Sequence, residues 1–385
     1  MYERLLNLPS EPKHSALLFG PRGTGKTFWI EQHINNAIIF NLLKHETYTT
    51  LVANPTRIEQ RIPPDFKHWI VIDEVQKIPA LLDEAHRLIE EKGYKFLLTG
   101  SSARKLKQQG SNLLAGRARK YSMHPLTCLE LAEDFSLNKA LQFGMLPQVY
   151  IDDDPKHYLQ TYVSTYLQEE ILQEGIVRNI GEFARFLEIA SLSQGEILNY
   201  TAIGREAGIN RKTVANYFDI TIDLLLGFKL PVFTKRAQRQ LIAHPKFYLF
   251  DVGVYRAVRP MGPLDATENV DGHALETLVL QHIRAFNDYY RLGYTLYYWR
   301  TKNGLEVDVV VYGEKGLIAI EIKRKRHLNG KDLRGLKQFG QDYPMAKLYC
   351  FYGGNMIEYH NNIIAIPIEE GLHKLSEILD RTLRD

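Results

Sequence analysis

Cysteine is almost absent from this chain: Cys128 and Cys350 are the only two in 385 residues. They lie far apart and in no metal spacing, which excludes a disulfide framework and a cysteine-built zinc site and suggests a reducing compartment. Long apolar runs are missing too. No stretch approaches the ~18 to 20 residues that a spanning helix needs. The opening residues Met1-Tyr2-Glu3-Arg4 are of mixed charge, without the apolar core of a signal peptide. A cytoplasmic protein with no membrane partner is expected. Charge of one sign is also scarce. The formal net charge of +3 excludes a polycation, so any nucleic-acid contact has to come from local patches. Hydrophobic residues make up 45%, enough for sizeable cores, and the length predicts two or three domains.

The most specific feature present is Gly20-Pro21-Arg22-Gly23-Thr24-Gly25-Lys26-Thr27. This G-x-x-x-x-G-K-[ST] loop follows an apolar run, Ala16 to Phe19, and precedes a helical stretch from Phe28 to Ile34, the context the motif requires. Its glycines let backbone N–H groups point at phosphate oxygens, and the helix N-terminus adds a favourable field. Lys26 is placed to reach the β- and γ-phosphates and Thr27 to ligate Mg²⁺. Residues 20–28, ending on Phe28, form the candidate nucleotide site. His68-Trp69-Ile70-Val71-Ile72-Asp73-Glu74 is an apolar strand ending in two carboxylates. Asp73 is expected to hold Mg²⁺ and Glu74 to polarise the attacking water. Loop and carboxylates together predict nucleoside triphosphate hydrolysis, with ATP and Mg²⁺ bound.

Residues 1–135 alternate strand and helix, with strands expected at 16–20, 37–42, 69–73, 95–99 and 120–124. That alternation predicts a parallel sheet of α/β class. Phe96-Leu97-Leu98-Thr99 ends in Gly100-Ser101-Ser102, a polar strand end that can contact γ-phosphate or the attacking water; Ser101 is included among the catalytic candidates. In Leu113 to Arg119 an arginine can stabilise phosphate charge in a neighbouring subunit, Arg117 before Arg119.

Residues 136–235 turn helical, with helices expected at 158–174 and 183–192. Thr201 to Val214 then reads as a helix-turn-helix. Thr201 caps the first helix, Gly208 makes the turn and Asn210 caps the second. Arg211, Lys212 and Asn216 lie near the start of the second helix, where DNA readers make contacts. Lys235, Arg236 and Arg239 follow as a candidate wing.

Residues 236–385 form a third region, with a strand at 247–251 and a helix at 272–285 carrying Glu276. Two strands follow, Leu305–Tyr312 and Leu317–Lys323, joined by residues 313–316. If Tyr312 pairs with Leu317, Asp308 falls opposite Glu321, their Cβ atoms ~5 Å apart on one face, and Lys323 shares that face. This register places two carboxylates and an ammonium together, equipment for metal-assisted phosphodiester hydrolysis. An exposed salt-bridging face is the plainer alternative.

The phosphate loop, Val71-Ile72-Asp73-Glu74 and Leu98-Thr99-Gly100-Ser101-Ser102 together resemble an AAA+ ATPase domain of the AAA_14 kind. Trp299 to Asp308 and Ala319 to Lys323 resemble the DUF4143 domain, which in turn looks like a PD-(D/E)xK nuclease fold. The resemblance implies nucleotide contacts from Gly25, Lys26 and Thr27, Mg²⁺ at Thr27 and Asp73, and water activation by Glu74. It maps the nuclease-like pattern onto Glu276, Asp308, Glu321 and Lys323. Val307 replaces that pattern's usual proline, and only Thr99 or Ser101 is available where the ATPase family usually has asparagine.

The expected architecture is a P-loop ATPase sheet (1–135), a helical, winged-helix-like middle (136–235) and an α/β nuclease-like end (236–385). The expected function is an ATP-hydrolysing, oligomeric machine, such as a hexamer, acting on DNA, with a metal-dependent nuclease-like domain. The alternative is a nucleotide-gated switch whose nuclease fold is inactive.

Overall fold

A computed structural model of the chain describes residues 2–9, 11–102, 117–166, 171, 179–234, 244–260, 262, 267–380 and 382. It divides into two compact units, Met1–Pro125 with Asp223–Leu226, and Leu126–Ile222 with Gly227–Asp385.

The first unit is built on five strands: β1 (Ser15–Phe19), β2 (Ile38–Asn41), β3 (Trp69–Asp73), β4 (Lys95–Gly100) and β5 (Ala118–Ser122). They lie in the order β2-β3-β4-β1-β5, every pair parallel. β4 therefore separates β1, which leads into the glycine loop, from β3, which ends in Asp73. All five residues of β3 are buried. Ile70 and Ile72 share one face of β3, as Phe96 and Leu98 do on β4. That face packs on Leu81, Leu82, Ala85 and Leu88 of the helix α3 (Ala80–Lys92), with Leu51 of α2 (His45–Ala53) in the same core. Each fully buried aliphatic side chain contributes roughly 1.5 to 3 kcal/mol. Edge strand β5 begins and ends two residues earlier than expected. This sheet, with its glycine loop and flanking helices, is a P-loop NTPase fold.

The second unit opens with short helices at Cys128–Leu131, Leu137–Phe143 and Pro155–Thr161. The helix expected over 158–174 gives way to a wider turn at Tyr162–Tyr166; residues 167–170 and 172–178 of that expectation lie outside the described ones. Three helices follow: α4 (Ile180–Leu192), α5 (Tyr200–Ala207) and α6 (Arg211–Asp223). α5 and α6 are the expected helix-turn-helix. The first cap is Asn199, whose side chain accepts from Ala202 N at 3.1 Å, rather than Thr201. Asn210 caps α6 through Thr213 N, and Gly208 makes the turn at φ 73°. The turn folds back on the first helix so closely that a Cβ on Gly204 would sit 2.7 Å from the Ile209 carbonyl oxygen.

The hairpin of β6 (Gly227–Leu230) and β7 (Lys246–Leu249) comes next, and Ile197 bridges to Lys246 beside it. Three helices with a hairpin in this order make a winged helix. The wing residues Lys235, Arg236 and Arg239 lie outside the described residues. β7 stops before Asp251, which instead caps α7 (Val252–Val258) by accepting from Gly253 and Val254 N–H.

The long helix α8 (Thr267–Tyr289) leads into a mixed sheet of β8 (Thr295–Arg300), β9 (Glu306–Gly313), β10 (Gly316–Lys323), β11 (Lys347–Tyr352), β12 (Glu358–His360) and β13 (Ile363–Pro367). Their order is β12-β13-β11-β10-β9-β8. Leu317 pairs with Tyr312, the register expected, and the ladder closes one pair further, on Gly316 and Gly313. Both cysteines are free and buried.

Candidate functional site

The glycine loop leaves β1 and enters the helix α1 (Lys26–His33). Gly23 and Gly25 stand at φ 80° and 90°, left-handed values that a side chain resists. A Cβ on Gly20 would meet the Met123 carbonyl oxygen at 2.3 Å. Lys26 is buried, its Nζ donating to Gly20 O at 2.7 Å and Pro21 O at 3.1 Å. Phe28 is exposed.

Loop and carboxylate strand are joined through hydroxyls. Thr27 Oγ1 donates to Asp73 Oδ2 at 2.8 Å. Thr99 donates to Asp73 Oδ1 and accepts from Glu74 N at 3.2 Å. Burial raises the Asp73 carboxyl above its usual range against the pull of these two hydroxyls. Glu74 itself stands at φ 61°, a conformation costing a non-glycine residue roughly 1 to 2 kcal/mol. Such strain is kept where the side chain must be aimed. Ser101 Oγ lies 3.3 Å from Glu74 Oε2, so three of the expected catalytic residues, Lys26, Glu74 and Ser101, lie with the expected metal ligands Thr27 and Asp73 at one end of the sheet. A hydroxyl and a carboxylate side by side are the hard oxygen donors that suit Mg²⁺, and the loop suits a triphosphate, so the residues present fit both.

Two members of this site carry no sequence motif. Gln76, buried just past the strand, donates its amide to Glu74 and to Ser101 Oγ, the latter at 3.0 Å. Arg4 clamps the loop from the N-terminal segment, its Nη1 on Thr24 O and Nη2 on His124 O, both at 2.6 Å.

Arg117 is placed elsewhere. Ala118 pairs with Ser15, so Arg117 lies beside the start of β1, roughly 16 Å of strand from the loop at its far end. Its guanidinium pairs with Glu90 at 2.5 Å and faces His86. Arg119 is exposed on β5. On α6 the residues Arg211, Lys212 and Asn216 are all exposed, while Val214, Tyr217 and Phe218 are buried.

In the second unit, Glu276, Asp308, Glu321 and Lys323 are drawn into one charged cluster. Lys323 Nζ lies 2.5 Å from Glu321 Oε1 and 3.9 Å from Asp308 Oδ2. Tyr248 donates to Glu276 at 2.9 Å. Burial and the facing Asp308 raise both Glu276 and Glu321 above the usual carboxylate range. Asp308 Oδ2 is committed to the backbone, accepting from Ile322 N at 2.8 Å where the β9–β10 ladder ends.

Lys246, which the sequence reading passed over, is 4% exposed and donates to Glu306. Burial opposes its charge, yet Glu276, Glu306 and Asp308 together hold its pKa above the ordinary lysine value. Among the described residues no group of three or more His, Cys, Asp or Glu is arranged to hold a metal ion. Beside Asp308 and Glu321 the positive charge is supplied by the ammonium groups of Lys323 and Lys246.

Comparison with known proteins agrees with this organisation. The AAA_14 family, described as an AAA domain, matches residues 12–132. Two domains of unknown function match further on, DUF8612 over residues 134–265 and DUF4143 over 271–370. Uncharacterized proteins of Mycobacterium bovis and Mycobacterium tuberculosis are each 25% identical over 309 residues, 78% of this chain and 68% of theirs. An uncharacterized protein of Methanocaldococcus jannaschii is 24% identical over 382 residues, covering 88% and 82%. Among solved structures, the Aeropyrum pernix ORC1 protein in complex with DNA matches at TM-score 0.24 and 14% identity, covering 64% of this chain and 87% of that one. Protein VC1899 from Vibrio cholerae matches at TM-score 0.24 and 11% identity, covering 95% and 97%. No helix among the described residues is long and apolar enough to cross a membrane. Residues 12–132 thus match the AAA_14 family and residues 271–370 the DUF4143 family, in that order along the chain.

Proposed function

We propose that this protein hydrolyses ATP at the Gly20–Thr27 loop and uses the turnover to act on DNA through its winged helix. The network Thr27–Asp73–Thr99–Glu74 carries this reading, because it ties the phosphate loop to the carboxylate that would act on water. Lys26 and the loop amides position the phosphates. Thr27 and Asp73 would hold Mg²⁺, which when bound supplies charge neutralisation for the phosphate oxygens. Glu74 takes a proton from the attacking water, and at rest its carboxylate is held by Gln76 and Ser101. Arg117, remote from its own loop, serves a neighbouring subunit in a homo-oligomer. The chain divides functionally at about residues 135 and 235, into engine, DNA reader and C-terminal module, and works in the cytoplasm.

DNA is assigned from α6: Arg211 and Lys212 project from the first turn of an exposed helix N-terminus, the position from which such helices reach bases and phosphates. For the C-terminal domain we favour the non-cleaving reading, a nuclease-like fold used for binding, because the buried Lys246 ammonium sits among Glu276, Glu306 and Asp308. Steady-state ATP turnover with and without duplex DNA tests the proposal. The expected result is stimulation by DNA that is lost in R211A/K212A, with turnover abolished in E74Q. A rate indifferent to every DNA offered would overturn the DNA assignment. Incubating the protein with DNA and Mn²⁺ tests the second part; cleavage lost in D308A or E321A would restore the nuclease reading.

A further inference from the structure

Several buried or half-buried cations of the second unit have carboxylate partners. Lys246 has Glu306, Lys323 has Glu321 and Arg256 has Asp271. Arg284, on α8, has no ion pair or hydrogen bond with a described residue. Its guanidinium lies over the Phe228 ring, 4.0 Å from the centroid. Burial lowers its pKa, and the Asp288 charge one turn on acts against that. The Arg284 side chain is half-buried, and a guanidinium partly withdrawn from water without a carboxylate partner is costly.

Arg284 borders a cleft of about 330 Å³. Leu230, Pro231 and Leu296 supply apolar wall, and Tyr294 closes one end. Two other polar side chains at its rim are engaged. Asn287 exchanges two hydrogen bonds with the Tyr294 backbone, both 2.9 Å, and Lys229 donates to Asp219 at 2.8 Å. A guanidinium over an aromatic ring can still offer its N–H edge, which grips a carboxylate or phosphate with two parallel bonds. The stack continues inward: Phe228 lies parallel to Tyr248, centroids 5.7 Å apart, and Tyr248 donates to Glu276 in the charged cluster.

We propose that this cleft is a binding site for a small oxyanion ligand, a carboxylate or phosphate monoester on an apolar body, with Arg284 gripping the anionic head and Leu230, Pro231 and Leu296 covering the body. The site is separate from the nucleotide loop and does not depend on the ATPase reading.

Calorimetric titration of the full chain, with the nucleotide loop filled by Mg-ADP, tests it with four probes: phenyl phosphate, phenylacetate, inorganic phosphate and benzyl alcohol. Phenyl phosphate or phenylacetate should bind, the stronger naming the preferred head group. Inorganic phosphate should bind more weakly and benzyl alcohol not at all. R284L should weaken binding at least tenfold, the scale of a lost charge-assisted pair. R284K, which keeps the charge but not the fork, should weaken it severalfold. D288N, which removes the opposing charge and leaves Arg284 in place, should tighten it severalfold, so the proposal stays testable if R284L fails to fold. Absence of binding by all four probes, or binding unchanged in R284K and D288N, would overturn it.

Discussion

Gln76 donates its side-chain amide to the carboxylate of Glu74, and the same amide holds Ser101. A carboxylate oxygen so occupied is less free to take up a water. We expect Gln76→Leu to raise basal ATP turnover by about two- to fivefold, and Glu74→Gln to lower it by on the order of 10² or more with nucleotide affinity retained. Turnover and nucleotide titrations on the two variants check this. A fall in Gln76→Leu would mean that the amide aims Glu74 rather than restraining it.

Arg4 predicts that the N-terminal segment matters to a loop twenty residues away. Its two bonds to Thr24 O and His124 O are of the charge-assisted kind, roughly 1.5 to 3 kcal/mol each. Arg4→Ala should weaken nucleotide binding about tenfold and lower the thermal midpoint of the AAA unit. Unchanged affinity with a lowered midpoint would make Arg4 a fold element only.

His282 sets an acid limit on the second unit. Its Nδ1–H donates to Leu278 O at 2.8 Å and its Nε2 accepts from Cys128 N at 3.0 Å, so both nitrogens are used by the neutral ring. Burial lowers its pKa from 6.5 to about 4. The unfolded chain thus binds the extra proton between those values. This contribution is fully present above pH 6.5 and is lost as pH falls to about 4, roughly 3 kcal/mol in all. Urea titrations at pH 7 and pH 4.5 should show the loss, and His282→Gln should show less of it.

Lys246 predicts a strong penalty for removing one charge. Lys246→Met would leave Glu276 without its buried counter-ion and Glu306 with Arg300 alone, at a cost of about 3 to 5 kcal/mol. Adding Glu306→Gln should recover part of it. Equal stability of wild type and Lys246→Met by chemical denaturation would remove the argument that this ammonium supplies positive charge the cluster needs.

Arg211→Ala and Lys212→Ala should weaken DNA binding nearly uniformly across sequences and each lower the slope of log K against log salt by about 1. Fluorescence anisotropy at several salt concentrations measures both.

What could be read from the sequence was local. The loop at 20–27, the carboxylates at 73 and 74 and the β9–β10 register follow from neighbours in the chain. The pairing of Tyr312 with Leu317 needed only a count across a short turn. The cap at Asn199 was within reach by the same logic; Thr201, two residues on, drew the assignment because threonine caps too. Other residues act on partners far away in sequence. Arg4 reaches His124, Lys246 reaches Glu306, and Arg284 meets Phe228. Nothing in the spacing of a lone Arg or Lys announces such contacts. Gln76 is a different case: it was adjacent to the motif, but a glutamine just past a strand reads as turn until its amide is seen on Glu74.

The interposed strand β4 has a consequence for how the chain comes off the ribosome. Ala16 pairs with Leu97 on one side and with Arg119 on the other, so β1 has no neighbour on either edge when it emerges. At the ~5 to 20 residues per second of synthesis, those neighbours arrive roughly 5 to 20 s later. Until then the glycine segment is an unsupported peptide, and non-local parallel pairing closes slowly once its partners exist. The stretch that is made among the first is therefore completed among the last in its unit. A nascent chain stalled short of β4 should fail to retain ATP, and one carrying β5 clear of the exit tunnel should hold it.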